Sequence, residues 1–220
     1  MGGWPNVFLT KFFHMEVLER EKLQIVKESI AVGMDCPDYR QMVGKLAAEG
    51  KTTGEEQSEA RINYTQLNDR RMKRWDKTFT LSAEVQEKLS NLETDLVLLT
   101  ITESWCGDAA ASLPVINKIA EASPKIEHKV VLRDQHPELM EAFLTNGAQS
   151  IPKVIVVDRK NNEILGDWGP RPSLATQMVD TFKKEHGKLT DAFKQDLQVW
   201  YNKDKGENIL NDFLELLGLE

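Results

Sequence analysis

The sequence predicts an α/β fold in which a mixed central sheet is flanked by helices, with further helices at both ends of the chain. A continuous apolar run at residues 96–101 is typical of a strand buried on both faces. From that run onward the predicted order is βαβα, then a ββ hairpin and a helix, which indicates one mixed sheet. The 220 residues, of which 40% are hydrophobic, are enough to bury a sizeable core.

Residues 1–80 are predicted to form a helical N-terminal extension. Apolar residues recur at three- and four-residue spacings over residues 15–30, and Pro37 suits the first turn of a second helix over residues 37–48. After a loop, residues 55–75 are polar but favour a helix, and they end in a basic cluster at positions 70, 71, 73 and 74.

Residues 81–186 are predicted to form the central domain. Ser82 suits the cap of a short helix that ends near Leu89, and it precedes the apolar strand at residues 96–101. A helix then begins at Gly107, and Asn161-Asn162 forms the turn of the hairpin. The other elements are strands at residues 126–133, 153–158 and 163–168, with helices at residues 137–144 and 173–185. Residues 187–220 are predicted to form two amphipathic helices that pack on this core.

The composition excludes several classes of protein. A net charge of −7 argues against nucleic acid as the main partner, because phosphate binding needs a strongly cationic surface. Two cysteines are too few for a disulfide scaffold or a four-ligand zinc site. The histidines show no ligand spacing, being scattered at His14, His128, His136 and His186. We therefore expect neither a metal nor another cofactor.

The cysteine count and the apolar pattern also bear on the compartment. No uninterrupted apolar run approaches the roughly twenty residues of a membrane span, so no membrane partner is expected. The first 17 residues lack a basic segment, a long apolar core and a small-residue cleavage site, so no leader is expected. A reducing cytoplasm is the compartment that these features favour.

Cys106 falls at the turn between the apolar strand and the next helix. The unpaired N–H groups and the positive end of the dipole at a helix start favour the thiolate, which is the nucleophile in sulfur chemistry. Asp108 lies in the same first turn and repels a thiolate. The sequence therefore predicts a site at Cys106 but leaves its degree of ionisation open. Cys36, alone in the extension, is interpreted as structural.

Several separated features around Cys106 resemble the thioredoxin family. Trp105-Cys106-Gly107 looks like the start of the active site of that family, Pro114 matches its helix-kinking proline, and Ile151-Pro152 follows at the family's distance. The similarity covers about residues 81–185. The flanks resemble a bacterial branch with helical extensions, in the Arg-rich segment at 70–78 and the Trp-Tyr-x-Lys-Asp-Lys segment at 200–205.

The resemblance implies a thioredoxin-like fold and assigns roles to these residues. Cys106 would be catalytic, and Pro152 would form a cis peptide bond facing it. Ile151 would present backbone groups to an extended substrate peptide. The implied substrate-binding residues are Trp105, Gly107, Asp108, Ile151 and Pro152.

The chain departs from the family at two positions that matter for the chemistry. Ala109 stands where the family has its second cysteine, so Cys106 has no local partner for a disulfide. Thr100 stands where the family has a buried acid that moves a proton from that second thiol. The two departures are chemically consistent, because a site without a resolving thiol needs no such relay.

These features lead to three hypotheses. The first is cytoplasmic thiol-disulfide exchange with one thiol, in which Cys106 attacks a disulfide of a protein client or of a low-molecular-weight thiol. A low-molecular-weight thiol, a cysteine of the client or Cys36 as a remote partner would then resolve the mixed disulfide. The alternatives are a binding module without turnover and a peroxide-sensing cysteine that stops at sulfenic acid. The basic cluster at 70–74 is interpreted as a solvated helix face, with binding of the carboxylates of a thiol cofactor as the alternative.

Overall fold

A computed structural model describes residues 7–219, with side chains from residue 18 onward, and it confirms the mixed α/β architecture. Within this part of the chain, one five-stranded sheet has the strand order β1-β3-β2-β4-β5. Its strands are β1 (Met34–Asp35), β2 (Leu96–Thr102), β3 (Ile126–Leu132), β4 (Lys153–Asp158) and β5 (Glu163–Trp168). The sequence features that argued against a leader, and the side chain of His14, lie outside the described residues.

Helices cover both faces of this sheet. Those before β2 are α1 (Val7–Val32), α2 (Cys36–Glu49), α3 (Glu59–Thr78) and α4 (Ala83–Ser90). Those after it are α5 (Gly107–Glu121), α6 (Pro137–Ala142), α7 (Ser173–His186), α8 (Asp191–Asp204) and α9 (Glu207–Leu216). None of the helices in the described part of the chain has both the length and the apolar character that a membrane-spanning helix needs.

The strand β2 lies at the centre of the sheet, and all of its residues are buried. It pairs in parallel with β3 and antiparallel with β4, so that Leu99 lies between Lys129 and Ile155. This burial is what the continuous apolar run predicts. The next helix, α5, packs its small and branched side chains in the core from Ala109 to Ala120. The buried strand β2 and the packed helix α5 thus fix the position of the turn that joins them.

The structure differs from the sequence-based elements at several boundaries, of which the largest is the start of α1 at Val7 rather than near residue 15. The strand β1 has two residues, too few to produce a periodic pattern, and pairs antiparallel with β3. The helix α3 begins at Glu59, after Ser58 in an extended conformation, rather than at residue 55. The helix α6 ends at Ala142 rather than at 144, because Phe143 leaves the helical region with φ −129° and ψ 41°.

Both flanking segments pack around α5. The helix α3 contacts α5, and Trp75 and Phe79 from its end lie in one hydrophobic cluster with Val115. The helix α9 contacts α5 from the C-terminal segment, burying Ile209 and Phe213. The division of the chain at residues 80 and 186 stays a prediction.

Candidate functional site

Cys106 caps the start of α5, immediately after β2. Its backbone is extended, with φ −75° and ψ 113°, and its N–H donates to the Glu103 carbonyl oxygen at 3.0 Å. Its Sγ donates to the Ile151 carbonyl oxygen at 3.3 Å, and the residue is 7% exposed. The thiol therefore carries its proton in this arrangement and is nearly covered.

Ile151 and Pro152 face Cys106 from the start of β4. The peptide bond between them is cis, and both residues are buried. Gly169, with φ +116°, passes so close that a Cβ there would lie 2.1 Å from the Pro152 carbonyl oxygen. Glycine is therefore required at this position, and the loop that follows it leads to Arg171.

Electrostatics at Cys106 oppose ionisation. Burial, and after it the Asp108 carboxylate, raise the pKa of the Cys106 thiol to about 12. Hydrogen bonds from the backbone of Ala109 and Asp108 act in the opposite direction, as expected at a helix start, but they are outweighed. The structure thus decides a point that the sequence leaves open: burial and Asp108 outweigh the helix start, because the sequence pattern does not reveal how deeply the sulfur is covered.

Asp108 joins the site to the C-terminal segment. Its carboxylate forms an ion pair with Arg171 at 2.7 Å and accepts a hydrogen bond from the Tyr201 hydroxyl at 3.2 Å. Burial nevertheless raises the pKa of Asp108. Asp108 is thus held by a residue of the β5–α7 loop and a residue of α8, both of which are distant in sequence.

A cleft of about 750 Å³ opens above Cys106. The helix α3 forms one wall with Tyr64, Leu67 and Arg71, and residues of the C-terminal segment, including Lys194 and Gln198, form the other. Trp105, Cys106, Gly107, Asp108 and Ile151 line it as well. Most of the residues that the resemblance assigned to substrate binding therefore lie together, and both helical extensions contribute to the site.

Arg71 is the residue of the basic cluster that reaches this cleft. It is partly buried, its Nη1 donates to Asn68 Oδ1 at 3.4 Å, and burial lowers its pKa. Its neighbours Arg70, Lys73 and Arg74 are exposed, as expected for a solvated face. The interpretation as a solvated helix face thus fits these three residues, while Arg71 lies at the cleft.

Trp105 covers one side of the turn rather than standing free. Its ring lies between the guanidinium groups of Arg61 and Arg133, at 4.6 and 5.0 Å from the ring centroid. Such cation–π contacts hold the indole in place beside the thiol. Neither arginine was indicated by the sequence, because neither lies near Trp105 along the chain.

A buried hydroxyl cluster also fixes the turn, and sequence reasoning missed it. Ser104 Oγ lies 2.8 Å from Thr65 Oγ1 and accepts the Thr53 N–H at 3.0 Å. Asn68 donates to the Ser104 carbonyl oxygen at 3.0 Å. The available signal was the spacing of Thr65 and Asn68, which lie three residues apart on the face of α3 that continues to Met72.

The structure does not bring Cys36 to Cys106. Cys36 lies beside Asn117 and Glu121 in the last turns of α5, whereas Cys106 caps its start. At a rise of 1.5 Å per residue, this corresponds to roughly 16 to 22 Å along the helix. Disulfides need Cα atoms within roughly 7 Å. Both cysteines are free and buried.

Thr100 and Ala109, the two positions at which the sequence departs from the family, are both buried. Thr100 Oγ1 lies 2.9 Å from His128 Nε2 in the buried interior. Burial lowers the pKa of His128 to about 4, so the pair is neutral at neutral pH. Ala109 is buried in the first turn of α5. Among the described residues, no cluster of histidine, cysteine or acidic side chains is arranged to hold a metal ion.

Comparisons with known proteins identify the family of the fold. A family model described as Thioredoxin matches residues 54–183, which is more than half of the chain. A Streptomyces coelicolor protein named "Putative thioredoxin 2" is 32% identical over 93 residues, covering 42% of this chain and 66% of that relative. The match thus spans slightly less than two thirds of the relative.

Two solved structures are similar to the chain as a whole. A protein of unknown function from Pseudomonas aeruginosa superposes with a TM-score of 0.57 at 19% identity, covering 87% of this chain and 96% of that one. An HIV epitope scaffold superposes with the same TM-score at 18% identity and the same coverage. At these identities the likeness concerns the fold, which includes the helical extensions.

Proposed function

The chain belongs to the thioredoxin family, and from this premise we propose that it performs thiol-disulfide exchange in the cytoplasm with Cys106 as its one reacting thiol. Ile151 and Pro152 form the surface opposite the sulfur, and Trp105, Gly107 and Asp108 shape the entrance. The observation that carries the proposal is the contact of Cys106 Sγ with the Ile151 carbonyl oxygen at the base of a cleft.

The covered thiol reacts slowly until it loses its proton. With a pKa of about 12, only a small fraction of Cys106 is thiolate at neutral pH, and the thiolate is the attacking species. Arg171 acts against this, because its charge lowers the pKa of Cys106, and it would stabilise negative charge that develops on the sulfur during exchange.

Resolution comes from outside the motif. Ala109 contributes no sulfur, and Cys36 lies beside the far end of α5. A second thiol from solution or from the client therefore attacks the mixed disulfide and restores the Cys106 thiol.

A binding module without turnover is the second candidate, and the burial and high pKa of Cys106 favour it. The two candidates differ in whether Cys106 forms a mixed disulfide. The experiment treats the reduced single-cysteine variants Cys36→Ser and Cys106→Ser with 2-hydroxyethyl disulfide and follows intact mass. Exchange predicts an adduct on the Cys36→Ser protein that a small thiol removes, and no adduct on Cys106→Ser.

The opposite outcome would favour the binding module. If the folded Cys36→Ser protein stays unmodified while the same protein reacts after denaturation, Cys106 does not exchange. Dimedone labelling after mild peroxide treatment tests the third hypothesis in the same variant, since a sensing cysteine would be trapped as sulfenic acid.

A further inference from the structure

The cleft above Cys106 has the dimensions of a small-molecule site. Its volume of about 750 Å³ lies within the range of roughly 300–1,000 Å³ that is usual for pockets that bind small ligands. Helix α3 and the C-terminal segment form walls on two sides of it. An extended protein segment needs an open edge, yet Cys106 and Ile151 are only 7% and 8% exposed. The shape therefore favours a small disulfide over a protein one.

The charges in the cleft are not balanced. Arg171 is neutralised by Asp108 at 2.7 Å, and Lys194 is paired with Asp191 at 2.9 Å. Within the described residues, no carboxylate lies within 4.0 Å of the Arg71 guanidinium; its hydrogen-bond partner is the amide oxygen of Asn68, and the Asp108 carboxylate acts on it only at longer range. A partly buried arginine of this kind favours an anionic partner.

Arg71 also lies close in space to the turn that carries Cys106. Its Nη1 is 3.7 Å from the position that a Cβ of Gly107 would take, and Gly107 follows Cys106 directly. A carboxylate bound to this guanidinium would therefore hold the rest of a short ligand beside the thiol. The planar guanidinium can bind a carboxylate through two parallel hydrogen bonds, which also fixes its orientation.

We propose that this cleft selects a low-molecular-weight disulfide that carries a carboxylate, with Arg71 as the group that binds the carboxylate. The inference rests on the proposed exchange function and names its substrate class. Arg171 and Lys194 contribute positive potential, but their own carboxylate partners limit them to a secondary role.

The exchange balances with the disulfide and one further thiol, R′–SH, from solution or from the client. The Cys106 sulfur, after losing its proton, attacks one sulfur of the disulfide R–S–S–R, and a Cys106–S–S–R bond forms as the original S–S bond breaks. The second half leaves as a thiolate and takes up a proton to become R–SH. A different thiol, R′–SH, then attacks the protein-bound half, which restores the Cys106 thiol and releases the mixed disulfide R–S–S–R′.

Three small disulfides of similar size test this selectivity. The reduced Cys36→Ser protein reacts with 3,3′-dithiodipropionate (anionic), 2-hydroxyethyl disulfide (neutral) or cystamine (cationic), and each rate is divided by that of a small neutral thiol with the same probe. We expect the normalised rate of the anionic probe to exceed that of the cationic probe by about tenfold or more. Raising the salt from about 0.05 to about 0.5 M should lower the anionic rate and leave the neutral rate unchanged.

Variants at two adjacent positions locate the effect. In the same background, Arg71→Gln should lower the normalised anionic rate by about tenfold and change the neutral rate by less than about twofold, while Arg71→Lys retains part of the effect. Arg70→Gln is the matched control, because Arg70 is exposed and is not among the cleft residues. It should leave all three rates unchanged.

Failure of the inference and failure of the proposed function give different results. If the neutral probe reacts but the anionic and cationic probes show equal normalised rates in the protein with Arg71, the selectivity is refuted and exchange stands. An Arg71→Gln protein with an unchanged ratio of anionic to neutral rates has the same meaning. If no probe modifies Cys106 in the folded protein, both are refuted.

Discussion

The two cysteines lie at the starts of two helices, and their local sequences are alike. Cys36 begins α2 and is followed two residues later by Asp38, while Cys106 precedes α5 and is followed two residues later by Asp108. Both thiols are buried, and burial is the main reason that the pKa of each is raised to about 12. By sequence position, burial and acidity the two sites are equivalent.

The two cysteines differ in the pairing of the nearby arginines and in the size of the adjacent cleft. Near Cys36, Arg40 is neutralised by Asp76 at 3.0 Å. Near Cys106, Arg71 has no carboxylate partner within the described chain, and the cleft above it holds about 750 Å³. The contrast teaches that acidity does not separate the two thiols. The proposed role of Cys106 rests instead on unbalanced charge and on the larger cleft, since Cys36 also lines a cleft, of about 440 Å³.

The largest effect is expected at Gly169, which packs closely against Pro152. In Gly169→Ala the new Cβ would lie 2.1 Å from the Pro152 carbonyl oxygen, at a φ of +116°. Relief of the clash and of the backbone strain should lower the free energy of unfolding by about 3 kcal/mol or more. Gly50→Ala is the control: its φ is +66° with open space around it, so the loss should stay near 1 kcal/mol. Urea denaturation measures both, and equal losses would contradict the proposed close packing.

The next largest effect is expected when a second cysteine is placed near Cys106. The wild-type protein is expected to reduce insulin disulfides poorly, because Ala109 cannot resolve a mixed disulfide. Ala109→Cys should raise the rate by about tenfold or more, since it restores a local resolving thiol. Ala110→Cys adds a thiol at the neighbouring buried position and should give no gain. An Ala109→Cys protein without any increase would show that the turn at Cys106 lacks exchange geometry.

The pH dependence of stability should be alike for both thiols. Each has a folded pKa of about 12 against an ordinary value of 9.0, so the folded state holds its proton more tightly than the unfolded state. The stability is therefore complete below about pH 9 and is lost as the pH rises from there toward 12. Between about pH 8 and 10, each of Cys36→Ala and Cys106→Ala should lose about 1 kcal/mol less than the wild type. A difference confined to one variant would show that the other thiol is not buried.

The smallest effect concerns the two aspartates. Asp108 raises the pKa of Cys106, so Asp108→Asn should lower it and speed alkylation of Cys106 by iodoacetamide at neutral pH, by about threefold for each unit of pKa. Asp38 is exposed and is not a cause of the raised pKa at Cys36, so Asp38→Asn should leave alkylation of Cys36 unchanged. A slower reaction in Asp108→Asn would contradict the assigned sign of this interaction.

The fold and the location of the site could be predicted from sequence because their signals are local. The apolar run of β2, the turn at Cys106 and the Ile151-Pro152 pair are each recognised from a few adjacent residues. The strand β1 was not predicted, because two residues are too few to show the alternating pattern of a strand.

The electrostatics of the site could not be predicted, because they depend on packing between distant segments. Arg171 reaches Asp108 through a loop far along the chain, and Tyr201 reaches it from α8. The face of α3 that places Arg71 in the cleft and Arg70 in solvent depends on how that helix packs against α5. The covering of Cys106, which raises the pKa of its thiol, has the same origin.

The most direct test compares the two thiols within one wild-type molecule. The reduced protein is exposed to 2-hydroxyethyl disulfide under native conditions, and peptide mass spectrometry follows modification of Cys36 and Cys106 over time. We predict that Cys106 is modified at least about tenfold faster, because exchange needs access as well as a thiolate. Equal rates, or faster modification of Cys36, would contradict the assignment of Cys106 as the exchanging thiol.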